Sequence, residues 1–152
     1  MLIRGRALIE GMASGAVLRL TEPLSLWGGV DLSTSRIVDA SHPQQGATLA
    51  GRLLAMPGSR GSSSSSSALV ELARSKRAPA GIVTTRGDPI LTIGALVAED
   101  LYGAAIPILI VADEDLAILP DGASAHLWCE AGQAVLNFPG DALLGFGMPH
   151  LP

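Results

Sequence analysis

Two closely spaced glycines, Gly58 and Gly61, are followed by six consecutive serines and then by a segment of helical periodicity. Glycine permits a sharp turn and a close approach to the backbone, and serine is a preferred residue at the start of a helix. The apolar residues 53–56 come just before the glycines and predict a short buried strand. The sequence therefore predicts a strand, a turn and a helix in this order. Residues 58–67 are named the Gly/Ser loop.

The Gly/Ser loop has the composition of an anion site. The first N–H groups of a helix have no partner inside the helix, and the helix dipole places positive charge beside them. A carboxylate or phosphate bound there is therefore stabilised. On composition alone, the alternative is a flexible serine linker. We favour the turn, because the flanking segments, residues 1–57 and 68–152, are each short for an independent domain.

The remaining patterns predict a single α/β domain. The chain has 152 residues, enough for one domain with its own core, and 48% of them are hydrophobic. Only 3% are aromatic, while 18 are glycine and 10 are proline, so we expect an aliphatic core with many tight turns. The predicted strands are residues 2–10, 16–20, 36–40, 53–56, 81–85, 106–111, 123–130 and 133–138.

Two helices are predicted in the middle of the chain. One follows the Gly/Ser loop, and the other runs from an N-cap at Thr92 to a stop at Gly103. The second helix lies between two predicted strands, which implies a parallel crossover. The first two strands are expected to form an antiparallel pair around Gly11 and Gly15, and the last two a hairpin through residues 131–132.

The charge of the chain limits the classes of partner. The net charge is −4 and no basic stripe is present, which argues against nucleic-acid binding. Charged residues make up 16% of the chain, below the usual quarter. This shortage indicates a large covered face, against a partner chain or a second copy. An ordinary well-filled α/β core explains the shortage equally well, so both interpretations remain open.

The cysteine content limits the cofactors. Cys129 is the single cysteine, so the chain has no internal disulfide. One thiol cannot by itself ligate an iron–sulfur cluster or a structural zinc ion, and any metal would need ligands from elsewhere. No secretory signal pattern and no apolar run of membrane-spanning length is found, so we expect a cytoplasmic protein.

A second glycine-containing segment has the sequence Trp27-Gly28-Gly29-Val30-Asp31. Adjacent glycines after a tryptophan fit a loop that approaches another surface closely. The alternative is that Trp27 anchors the core and the glycines form a plain turn. His42 lies in the polar turn of residues 41–46, and an imidazole is a common acid–base group near neutral pH. A turn residue is the simpler interpretation of this lone histidine.

Common nucleotide and hydrolase motifs are absent around the serines. No lysine follows the second glycine, as a P-loop requires, and neither G-x-G-x-x-G nor G-x-S-x-G is present there. What remains is a hydroxyl above a helix N-terminus, where an alkoxide or a carboxylate is stabilised. This arrangement suits binding of a carboxylate or removal of the proton next to one. A free serine is a very poor base, so another charge must lower its pKa, and an iron or a cationic substrate group from elsewhere could supply that charge.

Four segments at this spacing resemble the small, swivel-domain subunit of aconitase X. They are residues 24–31 (LSLWGGVD), 37–43 (IVDASHP), 58–63 (GSRGSS) and 78–83 (APAGIV). The resemblance covers nearly all of residues 1–140 and implies a swivelling β/β/α domain like the fourth domain of aconitases. It implies a heterodimer with a large subunit that carries an iron or iron–sulfur centre, and no cofactor bound by this chain. Residues 141–152 are expected to form a Gly/Pro-rich tail.

The resemblance also implies site residues. In aconitase-type enzymes the serine after a Gly-x-Gly turn is the base that acts beside the substrate carboxylate. The turn here differs by one residue, and the role is carried to Ser62, with the serine run leaving the assignment open by one position. Arg60 is a candidate charge partner, and the substrate carboxylate would be bound by Gly61 and Ser63. The further candidate substrate-binding residues are Trp27, Gly28, Gly29, Asp31 and His42. Ser35 stands where similar proteins often have glycine.

The activity implied by the resemblance is that of a hydro-lyase subunit, active only with its large subunit. Known aconitase X enzymes dehydrate cis-3-hydroxy-L-proline or mevalonate 5-phosphate. We favour the hydroxyproline, because Ala- and Arg-rich usage with Lys76 as the single lysine indicates a GC-rich bacterium, and the bacterial members act on this substrate. A phosphate would also call for more cations near the loop than Arg60, although the large subunit could supply them. The alternatives are a mevalonate 5-phosphate dehydratase small subunit and a non-catalytic swivel module. A phosphohistidine carrier would need an exposed histidine at a helix start, and His42, His126 and His150 do not fit that position.

Overall fold

The structure, a computed structural model, describes residues 1–140. The strands are β1 (Leu2–Ile9), β2 (Gly11–Arg19), β3 (Val30–Asp31), β4 (Arg36–Ile37), β5 (Leu53–Met56), β6 (Gly81–Thr84), β7 (Ile108–Ile110), β8 (Ser124–Glu130) and β9 (Gln133–Asn137). The helical segments are α1 (Leu26–Gly29), α2 (Ser65–Arg74), α3 (Pro89–Tyr102) and α4 (Asp113–Ile118). The predicted Gly/Pro-rich tail, residues 141–152, lies outside the described residues.

Seven strands close into a barrel in the order β1, β7, β6, β5, β2, β8, β9, and β9 pairs back onto β1. The strands β2, β5, β6 and β7 run parallel to one another. All pairs that involve β1, β8 or β9 are antiparallel. The short pair β3–β4 stands beside the barrel as a separate ribbon. The predicted α/β class, the parallel crossover through α3 and the hairpin β8–β9 are confirmed.

The parallel strands are apolar along their whole length because both of their faces are buried. In β5, Leu53 and Ala55 point into the barrel, where they pack with residues such as Leu127 and Leu136. Leu54 and Met56 point outward and pack under α2 and α3, against residues that include Leu69, Leu72, Leu91 and Ala95. The helices therefore cover the outside of the parallel strands, and the start of each helix lies near the strand ends that precede it.

The predicted pairing of the first two strands is wrong. β1 pairs with β7 and β9, while β2 pairs with β5 and β8. Gly11 and Gly15 do not form a turn, because both lie inside β2. A Cβ atom on Gly15 would lie 2.5 Å from the carbonyl oxygen of Gly51. Gly15 therefore marks a close approach between backbones, which the sequence alone does not distinguish from a turn.

The predicted N-cap of α3, Thr92, is also wrong by four residues. The N-cap is Asp88, whose Oδ1 accepts the N–H groups of Ile90 (2.8 Å) and Leu91 (3.4 Å). Pro89 occupies the first helical position, where it needs no N–H partner. The predicted stop is confirmed, because Gly103 caps the helix in the left-handed conformation with φ of 63°.

The helix α3 buries small residues rather than its larger apolar ones. Its buried positions are Leu91, Gly94, Ala95 and Ala98. The residues whose spacing predicts this helix, Ile93, Leu96, Val97 and Leu101, lie on its exposed side. The segment Asp113–Ile118, which the sequence analysis leaves unassigned, forms α4 with three acidic residues in its first turn.

We expect Gly15→Ala to lower the free energy of unfolding by roughly 1–3 kcal/mol, since the added methyl group meets a backbone oxygen that cannot move freely. The matched control is Gly87→Ala, where the nearest atom to a Cβ would be Ile110 Cδ1 at 3.8 Å. Urea unfolding of both variants measures the difference. Equal stability of the two variants would show that the close approach between Gly15 and Gly51 is not a real constraint.

We expect the Cys129 thiol to resist a thiol reagent at pH 8 in the folded protein and to react completely once denatured. Cys129 is 2% exposed, and burial, followed by the nearby charge of Glu10, raises its pKa from 9.0 to about 12. The stabilisation of the folded state by the buried, protonated thiol is therefore fully present below pH 9.0. It is lost as the pH rises towards about 12, because the thiol of the unfolded chain then loses its proton first. Rapid labelling of the native protein would contradict this burial.

Candidate active site

The Gly/Ser loop joins β5 to α2, so the predicted order of strand, turn and helix is confirmed. α2 begins at Ser65, and the last three serines of the run belong to its first turn. The linker alternative is wrong, because these serines are part of a helix inside a single packed domain. Gly58 and Gly61 have φ angles of 154° and 99°, which residues with a side chain rarely adopt.

The Ser62 hydroxyl lies at the N-terminal side of α2 and is exposed to solvent. Its Oγ accepts the backbone N–H of Ser64 at 3.0 Å, and its carbonyl oxygen accepts the N–H of Ser65 at 3.0 Å. Within residues 1–140 the N–H groups of Gly61, Ser62 and Ser63 donate to no other group. The loop therefore presents three free N–H groups next to a hydroxyl that already receives a fourth.

The other serines of the run have different surroundings. Ser65 is 2% exposed and its Oγ accepts the N–H of Trp27 at 3.3 Å. The Ser66 hydroxyl donates to the carbonyl oxygen of Ile90 at 2.6 Å, which ties α2 to the first turn of α3. Ser63 and Ser67 are exposed. The structure thus gives Ser65 and Ser66 packing roles and leaves Ser62 and Ser63 beside the free N–H groups.

Arg60 is held at the edge of the loop by an ion pair. Its Nη2 lies 3.4 Å from Oδ2 of Asp39, and its side chain remains 51% exposed. Hydrogen bonds from the Ser41 hydroxyl and N–H hold the pKa of Asp39 below its usual value, and the charge of Arg60 adds to this effect. Sequence reasoning gave Asp39 no role. The available signal is its position two residues before Ser41, which is typical of a carboxylate that accepts from the next turn.

The Trp-Gly-Gly segment lies against the Gly/Ser loop. The Ser25 hydroxyl donates to the carbonyl oxygen of Trp27 at 2.8 Å. A Cβ atom on Gly61 would lie 2.8 Å from that same hydroxyl, so glycine is needed for the contact. The Trp27 side chain is 53% exposed and does not anchor the core. Gly28 has φ of 83° and its Cα faces open space.

Gly29 connects this segment to Asp39. Gly29 is buried, and its carbonyl oxygen accepts the N–H groups of Val38 at 2.9 Å and Asp39 at 3.3 Å. The backbone of Asp39 is therefore fixed relative to Trp27 and Gly28. Since Asp39 in turn pairs with Arg60, the two glycine-containing segments form one continuous surface.

Asp31 and His42 make no hydrogen bond to the Gly/Ser loop. Asp31 accepts the Ser33 hydroxyl at 2.6 Å and the Ser33 N–H at 2.8 Å, and these bonds lower its pKa. His42 is 3% exposed, with Nδ1 accepting the Gln44 N–H at 3.1 Å. Its Nε2 lies 3.2 Å from the carbonyl oxygen of Glu22 and must donate to it. Both side chains are occupied in shaping their own turns.

Two residues that sequence reasoning missed, Arg86 and Asp88, line a cavity of about 200 Å³ together with Gly58 and Ser59. Asp88 caps α3 and also accepts the hydroxyl of Ser59. Arg86 is exposed, and its guanidinium has no hydrogen bond or ion pair within residues 1–140. The signal for both is their place after β6, since neighbouring parallel strands end at the same edge of a sheet.

The described side chains do not fit a metal ion. No group of three histidine, cysteine or acidic side chains is close enough to hold one within residues 1–140, and the Cys129 thiol is buried inside the barrel. In the same range, no helix has the length and apolar character needed to cross a membrane.

Known proteins share this fold. The family model of the aconitase X swivel domain matches residues 2–134. The crystal structure of aconitase X from Thermococcus kodakaraensis, in its holo form, is similar with a TM-score of 0.79 and 28% identity, over 90% of this chain and 98% of that chain.

Two curated relatives carry enzyme names. A cis-3-hydroxy-L-proline dehydratase of Pseudomonas aeruginosa is 42% identical over 141 residues, which are 93% of this chain and 23% of that protein. A phosphomevalonate dehydratase small subunit of Methanothermobacter thermautotrophicus is 35% identical over 129 residues, which are 84% of this chain and 94% of that protein. This chain thus spans less than a quarter of the Pseudomonas relative and nearly all of the Methanothermobacter small subunit. The match over residues 2–134, together with the fold, shows that the chain belongs to the aconitase X swivel domain family.

Proposed function

We propose that this chain is the small, swivel subunit of an aconitase X-type dehydratase and supplies the catalytic base and the carboxylate-binding loop. The observation that carries the proposal is the Ser62 hydroxyl at the N-terminal side of α2, next to three N–H groups without partners. Those N–H groups and the helix dipole favour a negative charge at this place. They favour both a bound carboxylate and the alkoxide form of Ser62.

In the proposed reaction, the substrate carboxylate accepts hydrogen bonds from the N–H groups of Gly61, Ser62 and Ser63. Ser62 Oγ, as an alkoxide, takes the proton from the carbon next to that carboxylate. The electron pair of the broken C–H bond forms the double bond to the neighbouring carbon, whose C–O bond breaks so that the hydroxyl leaves as hydroxide. The proton held by Ser62 and this hydroxide together make up the one molecule of water that is lost, and release of the proton restores the alkoxide. The Arg60–Asp39 pair and the exposed indole of Trp27 form the rim of this site.

The substrate we favour is cis-3-hydroxy-L-proline. The 42% identical Pseudomonas relative is named for this activity. The ring ammonium of hydroxyproline would add positive charge beside Ser62, which lowers the pKa of a hydroxyl. A second candidate is mevalonate 5-phosphate, favoured by Arg86, which offers a free cation for a phosphate at the same edge of the barrel. The two substrates are offered together to one purified two-subunit complex, and the rate of dehydration of each is measured. The substrate with the higher kcat/KM is the one that the site accepts.

The proposed partner is an aconitase X large subunit in the cytoplasm, which forms a heterodimer with this chain and holds the iron or iron–sulfur centre. That centre would polarise the leaving hydroxyl of the substrate. A phosphohistidine carrier is disfavoured because His42 is buried with both ring nitrogens engaged, and His126 lies on β8 rather than at a helix start. His150 lies outside the described residues.

We expect Ser62→Ala to reduce kcat of the two-subunit enzyme by roughly 10²–10⁴-fold, because the base is removed while the carboxylate-binding N–H groups remain. The matched control is Ser67→Ala, an exposed serine of the same run, which should leave kcat unchanged. Turnover of cis-3-hydroxy-L-proline is measured with equal amounts of assembled complex. Normal turnover by the Ser62 variant, or turnover by the isolated chain, would contradict the proposed role.

We expect Arg60→Ala to raise KM for the hydroxy acid by roughly 10-fold or more, with a smaller effect on kcat, since a charged hydrogen bond contributes about 1.5–3 kcal/mol. Arg74→Ala is the control, because Arg74 is 55% exposed and also ion-paired, but lies at the far end of α2. Steady-state kinetics on both variants measure the effect. Equal KM values for the two variants would remove Arg60 from the substrate site.

A further inference from the structure

The outer side of α3 carries an apolar stripe that the domain itself leaves uncovered. Ile93, Leu96 and Leu101 are 54%, 52% and 60% exposed, and Val97 is 36% exposed. These positions recur at intervals of three and four residues, so they lie on one side of the helix. We name them the α3 stripe. No residue from Pro89 to Ala98 is charged.

A helix that is apolar on two sides is expected between two packed layers. The inner side of α3 supplies one layer, because Leu91, Ala95 and Ala98 are buried against the core. Nothing within residues 1–140 covers the opposite side. Contiguous exposed apolar surface of this kind is typical of an interaction site. The shortage of charged residues, for which the sequence analysis left two interpretations open, is thus visible on one exposed helix. This favours the interpretation of a covered face.

The α3 stripe is continuous with the candidate active site. A groove of about 310 Å³ lies between α2 and α3, lined by Val70 and Ser66 on one side and by Ile93 and Val97 on the other. Ser66 is in the serine run and bonds to the first turn of α3. A partner seated on the α3 stripe therefore reaches the Gly/Ser loop without crossing another part of the domain.

We propose that the α3 stripe is the docking surface for the large chain of the same aconitase X enzyme. This inference rests on the proposed function. The 23% share of the Pseudomonas relative means that more than three quarters of that protein lies outside the matched domain. The Methanothermobacter relative is named a small subunit, so this remainder corresponds to a separate large chain that the stripe could receive. Self-association is disfavoured, because a second copy on the stripe would occupy the groove beside the Gly/Ser loop without supplying a second set of reacting groups.

The test uses the full chain and the cognate large chain, purified separately, with binding measured by calorimetry. Ile93→Lys and Leu101→Lys place a charge in the stripe, and each should weaken binding roughly tenfold or more. The control is Ile118→Lys on α4, since Ile118 and Leu101 are equally exposed at 60% and both lie on helices. It should bind as the unmodified chain does. Leu96→Gln repeats the test without a charge, and thermal melting checks that each variant folds.

The Ser62→Ala variant separates this inference from the proposed function. It should bind the large chain with unchanged affinity while turnover is lost. If the stripe variants bind the large chain more weakly, the docking surface is supported. If the complex of the unmodified chains at the same time shows no dehydratase activity, the proposed activity is overturned. Stripe variants that bind as tightly as the unmodified chain overturn the docking surface. A chain that is dimeric alone, becomes monomeric in the stripe variants and still binds the large chain normally assigns the stripe to a second copy and overturns the proposal.

Discussion

The unpaired N–H groups at the start of α2 are the feature on which the rest of the site depends. They exist because β5 is buried on both faces and ends at the barrel edge, so the chain must turn before α2 can pack back over the strands. The turn is fixed from two sides, by the Trp27 N–H bonded to Ser65 and by Ser59 bonded to Asp88. The helix start therefore has little freedom to move relative to the barrel.

Local signals in the sequence were sufficient where one segment determines its own structure. The buried strand of residues 53–56, the Gly/Ser turn, the helix stop at Gly103 and the hairpin β8–β9 each follow from a few adjacent residues. Ser35 shows the same local logic. Its φ of 61° explains why glycine suits this position, and burial with a hydrogen bond to the Arg77 carbonyl oxygen compensates for the serine.

Long-range signals could not be read in the same way. A glycine in a turn and a glycine that allows another strand to approach closely are identical in the sequence, so Gly15 predicts a turn although it lies against the backbone of Gly51. Helical spacing likewise identified Ile93, Leu96 and Leu101 but not the direction in which they point, because two apolar faces give the same periodicity. In the site, Asp39 and Arg86 come near the loop through folding. Their signals in the sequence, a serine two residues after Asp39 and the place of Arg86 just after β6, do not by themselves assign a role.

The central claim is that the substrate carboxylate binds at the start of α2, beside the Ser62 hydroxyl. The most direct measurement follows the backbone amide signals of the isotope-labelled small chain, in complex with the large chain, during titration with L-proline. Proline has the carboxylate and ammonium of the favoured substrate but no hydroxyl to eliminate. We expect saturable shifts of the Gly61, Ser62 and Ser63 amides. Saturable binding that leaves these three amides unmoved would contradict it.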